Sequence, residues 1–182
     1  MAKSHYQPPE TMEHVLALLT PPNRLVARVM LKTGLRISDV LKFRKETVAR
    51  VMRIREQKTD KPRTVRLPEK LVEELRGDGV PGWCFPGWRD PERHRTRQAV
   101  WADFRRAAKM LRLAQVSPHS CRKTFSVDYF RKNGLEKTQS ILNHDNTEVT
   151  LLYALADVIT KDLHRNKQKR GKIKKNGDNQ KK

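Results

Sequence analysis

Val15, Leu16, Leu18 and Leu19 recur at helical spacing over residues 10 to 19, and Leu25, Val26, Val29 and Met30 repeat the pattern over 23 to 32. Apolar side chains three and four residues apart share one helix face, so both segments predict amphipathic helices packed on a common core. Pro21-Pro22 opens the second, where a missing N–H costs nothing, and Gly34 marks its end. A third helix is expected to begin near Ser38 and Asp39. Residues 48 to 56 alternate in part, and after KTDKPR the stretch Thr64-Val65-Arg66-Leu67 alternates again, which together predict a small β-hairpin.

Pro and Gly crowd residues 77 to 91 (GDGVPGWCFPGWRDP), which marks a loop. Helical spacing returns in RQAVWADFRRAAKMLRL through Val100, Phe104, Ala107 and Leu111. Further helices are expected at about 118 to 132 with Asn133-Gly134 as the stop, at 136 to 142 and at 147 to 159. There is no internal repeat. The pattern predicts a mainly α fold, α+β in class, with a small antiparallel sheet. A chain of 182 residues fits one main core plus appendages.

Charge changes the picture more than length does. Lys and Arg number 40 against 20 Asp and Glu, a net +20, which points to a polyanionic partner, nucleic acid first and an anionic membrane surface second. The segment from 161, KDLHRNKQKRGKIKKNGDNQKK, holds ten basic and two acidic residues and too few large apolar ones to offset its ordering entropy, so it is expected to be disordered when free. Residues 1–160 keep 30 basic and 18 acidic residues, so the folded part is basic as well. No run of about 18 apolar residues exists and the N-terminus lacks an apolar signal region, which leads to the expectation of a cytosolic protein. Cys84 and Cys121 form no CxxC pair, so reduced thiols are expected rather than a zinc ribbon or a disulfide scaffold.

Four short constellations carry candidate chemistry: TGLRISD (33–39), QKTDKPR (57–63), SPHSCRKTF (117–125) and LNHDNTEVTLLY (142–153). His119 and Arg122, three apart, share a helix face near its start and suit a phosphate, although alone they read as a part-buried His and a surface Arg. Cys121, between them, should face the other way as a small apolar residue. Gly34 supplies a left-handed turn, Arg36 follows at the corner, and Asp39 can orient a neighbouring cation; alone, Arg36 and Asp39 read as a solvated pair. Lys58 should enter the hairpin turn, able to swing over a ligand or simply solvated.

In the last constellation Asp145 with Glu148 makes a capping box, and Asn143 tolerates a left-handed turn. Val149, Leu152, Leu155, Ala156 and Ile159 form its apolar stripe, with Tyr153 on the flank, where packing and chemistry both remain open. Arg95, Arg97 and Gln98 lie at a helix start suited to phosphate or groove contacts, and a solvated basic loop is the competing reading.

Together and in this order, the four pieces resemble the tyrosine recombinase, or phage integrase, family over roughly residues 10 to 160. That family carries an Arg in a TGLR-I-S-[DE] segment, a Lys on a β-hairpin, a His-x-x-Arg pair, a later His or Trp, and a nucleophilic Tyr nine residues beyond it. The matching residues are Arg36 with Asp39, Lys58, His119 with Arg122, His144 and Tyr153. Departures are Cys121, where the family often has Leu, and Asn143, where it often has Gly. About nine residues stand before the first helix, where most members have a DNA-clamping helical domain, so a short stand-alone member or a fragment is expected.

The resemblance implies a catalytic domain over 1–160 with a basic tail over 161–182, and a site-specific DNA recombinase that works through a 3′-phosphotyrosine on Tyr153. It implies that Arg36 and Arg122 supply charge to the phosphate, that His119 and His144 add donors, that Lys58 is the general acid, and that Asp39 supports the cationic cluster. His119 is the expected acceptor of the tyrosine proton. No metal or nucleotide cofactor is expected. Implied partners are double-stranded DNA, a homo-tetramer on two DNA sites and possible accessory DNA-bending proteins, in the cytoplasm at the nucleoid. The competing classes are a non-catalytic DNA-binding regulator with the same fold and a basic RNA-binding protein.

Overall fold

The computed structural model describes residues 4–142. Among them the chain forms α1 (Pro9–Leu18), α2 (Pro21–Thr33), α3 (Ile37–Val40), β1 (Val51–Arg55), β2 (Pro62–Arg66), α4 (Glu69–Arg76), α5 (Arg97–Met110), α6 (Pro118–Asn133) and α7 (Leu135–Leu142). Prolines occupy the first turns of α1, α2 and α6, where the absent N–H removes no helical hydrogen bond. The expected helix at 147 to 159 and the tail at 161–182 lie outside the described residues.

One continuous core is built from the apolar stripes. Val15, Val26, Val29, Met30, Val100, Phe104 and Cys121 are all buried within it, as the helical spacing predicts. α2 lies against α6, and α1 against α5. Asp103 of α5 fastens the start of α2: its Oδ2 accepts from the Thr20 N–H at 2.9 Å, the Thr20 hydroxyl at 2.8 Å and Asn23 Nδ2 at 2.8 Å. Burial would raise the Asp103 carboxyl, but the hydrogen bonds from Asn23, Thr20 and Arg106 outweigh it and hold the group below its ordinary range.

The β-hairpin forms where the alternation predicts it, with Met52 opposite Val65 and Ile54 opposite Arg63. Facing residues of an antiparallel pair share a side of the sheet, so buried Arg63 and Val65 sit with half-buried Met52 and Ile54 on the core side. α4 was not foreseen from the sequence. Its eight residues are too short to hold as an isolated helix, and it persists because Leu71, Val72 and Leu75 are buried. The third helix is a single turn of four residues.

Two glycines end helices at positive φ. Gly34 caps α2 at φ 64°, and a Cβ placed there would meet the Phe125 ring at 2.2 Å, so both conformation and space exclude any side chain. Gly134, at φ 79°, ends α6 beside Asn133. The loop after α4 is pinned by isolated bridges Arg44–Trp83 and Pro86–His94, with the Arg44 guanidinium 3.7 Å from the Trp83 ring centre. Cys84 and Cys121 are buried and unbridged; burial pushes the Cys84 thiol up to about 12 and that of Cys121 higher still. No described helix is long and apolar enough to cross a membrane.

Candidate active site

The site starts at the corner after α2. Leu35 is fully buried, which anchors the turn, and Arg36 follows as the N-cap residue of α3 with its side chain 19% exposed. Arg36 Nη1 donates to Glu56 Oε2. Glu56 is completely buried just after β1, where the hairpin turn begins, and accepts from Arg63 Nη1 at 3.0 Å through its other oxygen. Arg63 in turn donates from Nη2 to the Thr33 carbonyl. Burial alone would raise the Glu56 carboxyl, yet the hydrogen bond and charge of Arg63, with the charges of Arg36 and Arg122, hold it below its usual range.

Asp39 has a different task from the one its spacing suggested. It is buried, and its Oδ1 accepts from the Gln57 N–H at 2.9 Å, so it holds the hairpin turn rather than pairing with Arg36. Its Oδ2 is buried without a hydrogen-bond partner among the described residues. The carboxylate on Arg36 is Glu56, which the sequence reading did not single out; nor did it single out Arg63. A signal was present, because period-two alternation puts Glu56 on the same face as Met52 and Ile54, and Arg63 on the face of Val65 and Leu67.

Arg122 enters from α6 as a 2% exposed side chain. Its Nη1 donates to the Gly34 carbonyl at 2.6 Å and its Nη2 to the Leu142 carbonyl at 2.8 Å. It thus staples the Arg36 corner to the end of α7 while placing a cation behind the site. His119 lies in the first turn of α6, below a Ser117–Ser120 capping box, and is open to solvent. Its pKa is pushed down to about 4, first by the protein packed around the ring and then by the charges of Lys123, Arg122, Arg36 and Lys58. Lys58 stands exposed in the hairpin turn, and its charge is among those felt at His119.

The fold therefore collects Arg36, Lys58, His119 and Arg122 into one cationic neighbourhood at a helix N-terminus, an arrangement that suits a phosphate. His144 and Tyr153 lie outside the described residues. Arg97 and Gln98 are exposed in the first turn of α5, which Thr96 caps by accepting from the Ala99 N–H at 3.1 Å. Arg95 is half-buried, and burial lowers its pKa. Among the described residues no group of three or more His, Cys, Asp or Glu side chains is placed to hold a metal ion.

The described residues thus form a helical layer that carries a small hairpin, with Arg36, Lys58, His119 and Arg122 gathered at one place. Residues 8–158 match the phage integrase family, and the chain belongs to that family. It is 31% identical over 152 residues to the integrase of Escherichia phage P2, covering 82% of this chain and 42% of that protein. A Sinorhizobium fredii relative (strain NBRC 101917 / NGR234), which carries an integrase/recombinase designation, is 30% identical over 156 residues, covering 80% of this chain and 50% of its own. The chain thus spans half or less of the length of these relatives.

Solved structures share the fold. The Tn1549 transposon integrase in complex with circular intermediate DNA superposes with a TM-score of 0.63 at 19% identity, over 82% of this chain and 60% of that one. A lambda integrase dimer bound to a core site gives 0.68 at 14% identity, over 84% and 48%. XerA recombinase gives 0.66 at 21% identity, over 91% and 65%.

Proposed function

We propose that the chain is a site-specific DNA recombinase of the integrase or invertase type, cutting and rejoining duplex DNA through a 3′-phosphotyrosine on Tyr153. The observation that carries this reading is the meeting of Arg36, Lys58, His119 and Arg122, drawn from a helix corner, a hairpin turn and a helix start, around one basic site. The Tyr153 oxygen attacks the scissile phosphorus, the bond to the 5′ oxygen breaks, and the ester energy is kept in the tyrosyl phosphate. A free 5′-hydroxyl then attacks that ester and releases the tyrosine.

Charge builds on the non-bridging oxygens as the phosphorus is attacked. Arg36 Nε and Nη2, which make no hydrogen bond among the described residues, face this charge, with buried Arg122 behind them and His144 as a further donor. Each preorganised donor of this kind contributes about 2.7–4 kcal/mol to a developing oxyanion. Lys58 protonates the departing 5′ oxygen. His119, kept neutral at pH 7 by its low pKa, accepts the tyrosine proton. Fixed side chains supply the positive charge, so the reading includes no metal ion or nucleotide cofactor.

In the same reading residues 1–160 are the catalytic domain, and 161–182 are a basic tail that attracts DNA or packs on a neighbour. Arg95, Arg97 and Gln98 contact DNA. The working assembly is a homo-tetramer on two DNA sites, assisted by DNA-bending proteins, in the cytoplasm at the nucleoid. The test uses duplexes selected by the protein from a random pool, then nicked so that a released fragment traps the adduct. Wild type should accumulate a covalent protein–DNA adduct that Tyr153→Phe lacks while binding equally well. Binding without any adduct would favour the non-catalytic regulator and overturn the recombinase.

A further inference from the structure

The turn that carries Lys58 is fastened on both sides of that lysine. The Gln57 N–H donates to Asp39 Oδ1 at 2.9 Å, and the Thr59 hydroxyl donates to Glu56 Oε2 at 3.3 Å. Glu56 also closes the turn through its backbone: its N–H donates to the Lys61 carbonyl at 3.0 Å, and its carbonyl accepts from the Asp60 N–H at 2.9 Å. Oε2 of Glu56 is the same oxygen that accepts from Arg36.

Neutralising the core does not require this arrangement. The ion pair of Glu56 Oε1 with buried Arg63 already compensates both charges at 3.0 Å. The second oxygen is spent on the site: it links the guanidinium of Arg36, at the α2–α3 corner, to the turn of Lys58, 22 residues further along. Lys58 itself is exposed, so its side chain keeps its freedom while its backbone is held. We infer that Glu56 is a positioning residue of the cleavage site, whose Oε2 holds Arg36 and the Lys58 turn at one fixed separation. This rests on the roles given to Arg36 and Lys58 in the recombinase reading.

The step that would suffer is the one in which charge on the phosphate and protonation of the leaving oxygen must coincide. A displacement of about 1 Å in such a pair lowers rate by about 100-fold. Glu56→Gln keeps a side chain of the same shape, removes the charge on Oε2 and leaves Arg63 uncompensated, so loss of stability must be separated from loss of positioning. The double variant Glu56→Gln with Arg63→Met removes both buried charges and is expected to recover stability, because an apolar side chain can replace a buried ion pair.

The experiment measures single-turnover adduct formation on the selected nicked duplex for wild type, Glu56→Gln and the double variant. It also follows His119 by proton NMR titration without DNA. Both variants are expected to form adduct about 100-fold more slowly with duplex Kd within about threefold of wild type. In both, the His119 pKa should rise above about 4 as Arg36 and Lys58 leave their places, while burial and the charges of Lys123 and Arg122 still hold it below its ordinary value. In Glu56→Gln, removing the negative charge without releasing those cations would move it the other way. Recovery of the wild-type rate in the double variant, or a lowered His119 pKa, overturns the proposal. If wild type itself forms no adduct, the recombinase reading fails, while the His119 titration still decides whether Glu56 holds the two cations.

Discussion

At the scale of single residues, Gly34 and His119 carry the sharpest consequences. Gly34→Ala places a Cβ in a left-handed conformation and into the Phe125 ring, so the unfolding free energy should fall by about 2–4 kcal/mol in urea denaturation. A fall below about 1 kcal/mol would mean that the corner relaxes freely. His119 gives a pH dependence whose sign follows from its lowered pKa. Between about 4 and 6.5 the unfolded chain binds a proton that the folded one does not, so stability from this residue is present above pH 6.5 and is lost as pH falls through that window. Denaturation curves across the window should be steeper in pH for wild type than for His119→Gln, and equal slopes would remove the effect.

At the scale of elements, α4 shows why a short helix escaped the sequence reading. Its three buried apolar residues offer too little periodicity to separate a helix from a loop, and packing stabilises what propensity alone does not. Leu75→Ala should therefore lower stability by about 2–5 kcal/mol, as for any fully buried Leu, with the loss read from thermal or urea unfolding. The hairpin makes the complementary point. Its position and strand pairing were legible, since alternation is local, but the inward places were read only for their apolar residues. Glu56 and Arg63 stand at those same inward places.

For the whole molecule the relevant quantity is charge. Residues 1–160 and the tail are both basic, so binding to duplex DNA should weaken steeply with salt. Each phosphate contact adds about 0.9 to the magnitude of the slope of log Kobs against log salt on duplex DNA. Arg97→Gln, at the exposed start of α5, should lower that magnitude by about 0.9 in fluorescence anisotropy titrations, while Tyr153→Phe leaves it unchanged. An unaltered slope for Arg97→Gln would place the α5 start away from the DNA.

The sequence by itself determined the element types other than α4, the Gly34 corner and the basic character, because each depends on spacing within a few residues or on composition. Only the tertiary structure decided the partners. Arg36 meets Glu56 from 20 residues away rather than Asp39 from three, and Arg122 reaches the Gly34 carbonyl across 88 residues. Those choices follow from which faces pack together. A buried guanidinium takes whichever acceptor the packed core presents, and no local pattern specifies that acceptor.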